Sequence, residues 1–248
     1  MQKYNSHTRW SQPPDDLDLQ SHQVDIWRAR LNLPNDSLKV LDVTLSADET
    51  ERAARFHFLE DRDRFIAAHG CLRDILARYL HCKPGRLILS VNQYGKPVLE
   101  DYKLEFNLSH SGDFALVAIT SERKVGVDIE RIRSDMEFES IAGRYFSQSE
   151  VSELLALTSE QKVHGFFNCW TRKEAYIKAH GLGLSLPLEG FDVSLIPNEP
   201  VILRATRPDP QEATRWTLLS LEVDSGYVSA VAAEGKDLEF RLWDWNIH

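Results

Sequence analysis

The chain has 248 residues, which at about 150 residues per domain allows one large domain or two small ones. Its 29 Lys and Arg against 38 Asp and Glu leave a net charge of −9, with 42% hydrophobic and 27% charged residues. That balance excludes wholesale disorder and argues against a general nucleic-acid binder, while leaving room for a local basic pocket.

Residues 1–20 are polar, carry Pro13-Pro14 and read as a loose tail. Residues 24–33 alternate as a strand does, and 40–45 read as a second β-type run. Ser46-Ala47-Asp48-Glu49 has the form of a capping box and opens a charged helix that reaches Arg55 and Phe56. Over residues 61–80, Phe65, Ala68, Leu72, Ile75, Leu76 and Tyr79 recur at spacings of three and four, the mark of an amphipathic helix. Strands are expected at 87–91, 106–109, 114–120 and 125–130, with a turn at Tyr94-Gly95-Lys96-Pro97. Ser147-Gln148-Ser149-Glu150 is a second capping box, and a long helix should span 159–180, closed by Gly181. Strand-like runs follow at 191–196, 201–205, 216–221 and 227–233.

Arg55-Phe56-His57-Phe58 is echoed 89 residues later by Arg144-Tyr145-Phe146, too long a period for a solenoid. A duplicated α+β unit and one continuous α+β domain both fit it. The three cysteines, Cys71, Cys82 and Cys169, form no C-x-x-C pair, so neither a zinc site nor a disulfide framework is indicated. With no apolar leader in the first thirty residues and no run long enough to span a bilayer, a cytoplasmic protein without membrane contact is expected.

Four short constellations can carry chemistry. Asp128 and Glu130 stand two apart in an apolar strand, so both carboxylates leave one face and suit a hard divalent cation such as Mg²⁺. Taken alone, the pair reads first as an exposed strand face matched by Arg131 or Arg133. Trp170, Glu174 and Lys178 line one helix stripe, where Glu174 and Lys178 are either an ordinary i,i+4 pair or a ligand and a phosphate contact. Asn107-Leu108-Ser109-His110-Ser111-Gly112 lacks a nucleophile elbow, so Ser109 and His110 read as donors to phosphate or as a polar turn. Lys96 is presented by its turn, and Arg52 and Arg64 are further cations on the early helices.

The four runs in order, 106–112, 125–130, 170–178 and Gly181-Leu182-Gly183-Leu184-Ser185, resemble the 4′-phosphopantetheinyl transferases, and within them the surfactin-synthetase-activating, single-chain type. The likeness covers residues 24–233. It implies an α+β fold of two pseudo-twofold-related subdomains, each a small, mainly antiparallel sheet packed with a long helix. The halves would be 21–122 and 123–248 behind the 1–20 tail. It implies transfer of 4′-phosphopantetheine from coenzyme A to a serine of an apo acyl or peptidyl carrier protein, releasing adenosine 3′,5′-bisphosphate. The carrier would serve fatty-acid, polyketide or non-ribosomal peptide synthesis, and the enzyme would be a monomer. By resemblance Asp128, Glu130 and Glu174 hold Mg²⁺, Glu174 is the base, and Lys178 meets the phosphate oxygens. Some relatives carry an uncharged residue where Glu130 stands. Arg52, Gly95, Lys96, Pro97, Asn107, Ser109 and His110, with Asp128, Glu174 and Lys178, would receive coenzyme A. Residues 150–161, with Val151, Leu154, Leu155 and Leu157, offer a surface for the carrier or a core face.

Overall fold

In the computed structural model, which describes residues 9–207 and 209–247, two sheets lie face to face between two long helices. The first half runs β1 (Gln23–Arg30), α1 (Asn35–Asp42), α2 (Ala47–Ala54), α3 (Leu59–Tyr79), the short pair β2 (Ser90–Val91) and β3 (Pro97–Val98), β4 (Leu104–Ser111) and β5 (Phe114–Ser121). The second runs β6 (Val125–Arg131), α4 (Phe138–Tyr145), α5 (Gln148–Ala156), α6 (Ser159–His180), the pair β7 (Phe191–Val193) and β8 (Leu203–Thr206), β9 (Trp216–Ser220) and β10 (Tyr227–Glu234). A last strand, β11 (Glu239–Asp244), returns to the first sheet and pairs in parallel with β1. The strand orders are β11-β1-β5-β4 and β6-β10-β9, antiparallel apart from the β1–β11 pair.

Burial explains the layering. In β5, Ala115, Val117 and Ile119 face α3, while Phe114, Leu116 and Ala118 face the second sheet. Both faces are covered, so the strand is apolar throughout instead of alternating. In β6, Val125, Val127 and Ile129 point into the space between the sheets. That leaves Gly126, Asp128 and Glu130 on the opposite face, toward α6.

Both capping boxes form: Ser46 with Glu49 opens α2, and Ser147 with Glu150 opens α5. They recur at about 100 residues, as do the long helices behind them, so the internal register is not the 89-residue echo of the sequence. The β-type reading of 40–45 is also replaced. Leu38 and Leu41, one turn apart, bury against α3, so residues 40–42 close α1 and 43–45 form a turn, with Val40 and Val43 exposed. The expected strand at 87–91 shrinks to β2 because Ile88 is exposed and has no partner strand. Of the expected tail, residues 1–8 lie outside the described residues; Ser11 bridges to Trp243 and Leu17 is buried.

Candidate functional site

The site forms where β4 and β6 approach without joining one ladder. β4 runs alongside β6, and its inward side chains replace the missing main-chain bonds. The amide of Val127 donates to Asn107 Oδ1 at 2.8 Å, and that of Arg131 donates to Ser111 Oγ at 3.1 Å. Between them Ser109 Oγ donates to Asp128 Oδ1 at 3.0 Å, and Ser111 Oγ donates to Glu130 Oε2 at 2.9 Å. Period two on β4 puts Asn107, Ser109 and Ser111 on this face and sends His110 to the other, toward α3.

The second wall is α6, and Gly126 sets its distance. A Cβ built there would lie 2.1 Å from the Ala175 carbonyl oxygen and 2.3 Å from the Ala179 amide nitrogen. The helix therefore rests on bare backbone, and Lys178 reaches the strand. Its Nζ donates to Asp128 Oδ1 at 2.5 Å and to Ser109 Oγ at 3.0 Å. The third wall is the 92–96 turn. Asn92 Oδ1 accepts from the amides of Tyr94 and Lys96, and Asn92 Nδ2 donates to the Gly181 carbonyl at 2.9 Å. Gly181 closes α6 in the left-handed conformation, φ 67°, with Lys96 Cδ only 3.0 Å from where a Cβ would stand. Tyr94, Gly95, Lys96, Pro97, Asn107, Glu174, Ile177, Lys178, Gly181 and Gly183 line the resulting pocket of about 280 Å³. A larger cleft, about 430 Å³, lies near Arg28 and Arg30, but Asp244 and Asp224 already neutralise both cations.

The electrostatics are those of a crowded acid cluster. Burial pushes the Asp128 carboxyl up against the opposing pull of Lys178 and Ser109. Burial and then Asp128 raise Glu130, and the same two causes raise Glu174. Burial would lower Lys178, but Asp128, Glu174 and Glu130 outweigh it and hold the ammonium protonated. Asp128 Oδ2 is buried and has no hydrogen-bond partner among the described residues. An oxygen-only donor set with an unused buried oxygen fits a hard divalent cation. Among the described residues, no three His, Cys, Asp or Glu side chains converge into a closed ligand group. Lys96 is largely buried, which lowers its pKa, with Glu105 3.8 Å away opposing. Burial, then His69 and Lys178, hold His110 to about 4, so its ring is neutral at pH 7.

The structure thus brings together Gly95, Lys96, Pro97, Asn107, Ser109, Asp128, Glu130, Glu174 and Lys178. Arg52 stands apart on α2, exposed, its guanidinium 5.3 Å over the Phe65 ring. Arg64 is occupied by Glu60 and Asp113, each at 2.7 Å. Trp170 packs against Phe166 and Tyr145 as a core anchor. On α5, Leu154 belongs to the core, Val151 and Leu157 pack partly against it, and Leu155 is exposed. Ser111 was not singled out by the sequence, although the 107, 109, 111 alternation marks it. Ile177 and Gly183 became pocket walls only through folding.

The family described as the 4′-phosphopantetheinyl transferase superfamily matches residues 124–232, and the one described as 4′-phosphopantetheinyl transferase, N-terminal, matches 33–122. The chain is 42% identical to the 4′-phosphopantetheinyl transferase HetI of Nostoc sp., over 96% of this chain and 99% of that protein. It is 34% identical to the 4′-phosphopantetheinyl transferase Sfp of Bacillus subtilis, over 78% of this chain and 84% of that one. A mouse L-aminoadipate-semialdehyde dehydrogenase-phosphopantetheinyl transferase is 28% identical over 78% of this chain and 68% of its own.

Proposed function

The chain belongs to the 4′-phosphopantetheinyl transferase superfamily, and on that premise we propose how its own residues carry out the transfer. It moves the phosphopantetheine group of coenzyme A onto a carrier protein. The observation that carries the assignment is the Lys178–Asp128–Ser109 cluster, with an unused Asp128 oxygen, at a pocket lined by Lys96 and Glu174.

The incoming group is the hydroxyl of a carrier serine. Its oxygen forms a bond to the pantetheine-side phosphorus, and the bond from that phosphorus to the bridging oxygen breaks. Adenosine 3′,5′-bisphosphate leaves with the electron pair. Glu174, in contact directly or through a water, takes the serine proton. Its raised pKa brings it closer to the working pH, where a general base is most effective. Lys178 donates to a phosphate oxygen and offsets the charge that gathers there. Lys96, from the 92–96 turn, holds the pyrophosphate from the nucleotide side. Asp128, Glu130 and Glu174 would hold Mg²⁺, which supplies charge neutralisation at the pyrophosphate.

The partner is an apo carrier protein, acyl or peptidyl, and the enzyme acts as a monomer. Leu155 on α5 is the exposed apolar residue of the expected docking stretch. With both proteins acidic, contact rests on such apolar groups and a few local cations, not on bulk attraction. The two halves, 21–122 and 123–248, carry the site between them. The two family matches, ending at 122 and starting at 124, support that division, with β11 given back to the first half's sheet. No described helix is long and apolar enough to cross a membrane. Buried Cys71 and Cys169, free like exposed Cys82, support a reducing, cytoplasmic setting.

Intact-mass spectrometry of an apo carrier with coenzyme A, Mg²⁺ and this protein tests the reading. The carrier gains one phosphopantetheine, and a chelator prevents it. Cleaved coenzyme A without carrier gain would make the protein a hydrolase instead. No gain on acyl or peptidyl carriers, with coenzyme A bound intact, would make it a binding protein.

A further inference from the structure

The turn that presents Lys96 is tied to the helix that carries Lys178 through the side chain of Asn92. Within the turn, Asn92 makes four bonds. Its amide donates to the Lys96 carbonyl at 2.9 Å, and its carbonyl accepts from the Gly95 amide at 2.9 Å. Its Oδ1 accepts from the amides of Tyr94 at 2.9 Å and Lys96 at 3.0 Å. That is an Asx turn, completed by Gly95 at φ 86°. With Oδ1 turned inward, Nδ2 points out of the turn and donates to the Gly181 carbonyl at 2.9 Å.

The Gly181 carbonyl lies past the last turn of α6, where no following helical amide is left to pair with it. Asn92 fills that place from the other half of the chain. The Lys96 ammonium has weaker holds. Its Nζ lies 3.4 Å from the Val125 carbonyl, 3.5 Å from the Ala179 carbonyl and 3.8 Å from Glu105. These contacts are long, and they are given up once Nζ turns to a phosphate. The Asn92–Gly181 bond survives that movement, because it does not use Nζ.

A turn ordered in advance costs nothing to order when the ligand arrives. We propose that Asn92 is the positioning residue for Lys96: by fastening the 92–96 turn to the end of α6, it sets the width of the pocket and fixes Lys96 before coenzyme A binds. The inference rests on the transferase reading above and on Lys96 as a contact to the pyrophosphate. Such a residue acts on bound substrate and transition state alike, so it governs Kd and KM, not kcat.

The test is Asn92→Ser, whose hydroxyl can still close the turn but is too short to reach Gly181. Calorimetry with coenzyme A, and transfer to one apo carrier, are measured in the wild type, Asn92→Ser, Lys96→Ala and the double variant. Asn92→Ser is expected to raise Kd and KM about fivefold, the worth of one neutral hydrogen bond, with kcat held within about twofold. In the Lys96→Ala background the same change is expected to have no further effect, because the residue it positions is gone. A residue that only props the fold would lower kcat as well, or cost as much with Lys96 absent as with it present. Either result, or an unchanged Kd in folded Asn92→Ser, overturns the proposal. Should Asn92→Ser not fold, the same cycle with Asn92→Asp, which keeps the turn's acceptor and loses the donor, decides by the same criterion. A wild type that binds coenzyme A but modifies no carrier overturns the transferase reading instead, and leaves the Kd comparison to judge Asn92.

Discussion

Arg73 and Lys173 hold the same place in the two halves of the molecule. Arg73 Nε donates to Glu49 at 2.6 Å, and its Nη1 donates to the carbonyls of Pro84 and Leu87 at 3.3 and 3.0 Å. Lys173 Nζ lies 2.8 Å from Glu150 and donates to the carbonyls of Leu188 and Phe191 at 2.7 and 2.6 Å. In each half a buried cation on the long helix joins the capping-box glutamate to the loop beyond the helix. In the second half that loop adjoins the pocket.

Replacing Lys173 by Met strands the Glu150 charge in the core. Breaking a buried pair from one side costs about 3–5 kcal/mol. Lys173→Met is expected to lose that much in urea unfolding, and the double variant Lys173→Met/Glu150→Gln to recover part of it. A loss under about 1 kcal/mol would show that the pair is not the clamp described here.

Glu49 gives a pH signature. Its carboxyl falls from an ordinary 4.5 to about 2 on folding. A depressed acid adds stability above its unfolded pKa and loses it as pH falls toward the folded one. That shift corresponds to about 3 kcal/mol at neutral pH. Glu49→Gln is therefore expected to be less stable than the wild type at pH 7, with the gap narrowing below pH 4.5 and closing near pH 2. Denaturant midpoints across that range measure it, and a gap independent of pH contradicts it.

Gly126 has no space for a side chain. Gly126→Ala must push α6 away from β6, at a cost of about 1–3 kcal/mol in overpacking. The same movement withdraws Lys178 from Asp128, so transfer should fall further than the stability loss alone explains. Carrier modification measured well below the unfolding temperature separates the two effects. Full activity there would mean that the helix position does not govern the site.

Glu174→Gln should leave the fold sound. The Glu174 carboxyl is raised by burial and by Asp128, and a raised acid opposes folding once ionised. Removing its charge is expected to hold or slightly raise the melting temperature, while transfer falls about 10²–10⁴-fold. Undiminished transfer would remove Glu174 from the role of base.

The sequence exposed the parts of this molecule that are written locally. Gly181 marked the end of α6 correctly, because a left-handed C-cap acts within a turn. Asp128, Glu174 and Lys178 were legible as faces of a strand and a helix. Contacts made across the fold were not. The Asn107 bond to the Val127 amide depends on two strands meeting at an angle that no periodicity records. α1 was mistaken for a strand because Val40 and Val43 favour β structure, whereas Leu38 and Leu41 decide the matter by packing on α3. Glu49 announced a capping box, but not that the same carboxylate also holds Arg73 and His69.

The pairing of β1 with β11 sets the order of events during synthesis. Asp25 on β1 is fully buried, and its cation is Arg241 on β11, with Nε 2.6 Å from Oδ1. That arginine is translated more than two hundred residues later. Until it emerges from the ribosome, the first sheet has an open edge and a carboxylate without a counterion. The nascent first half is therefore expected to reach its full stability only once β11 is made. A ribosome stalled shortly before β11 would display this half in a protease-sensitive state.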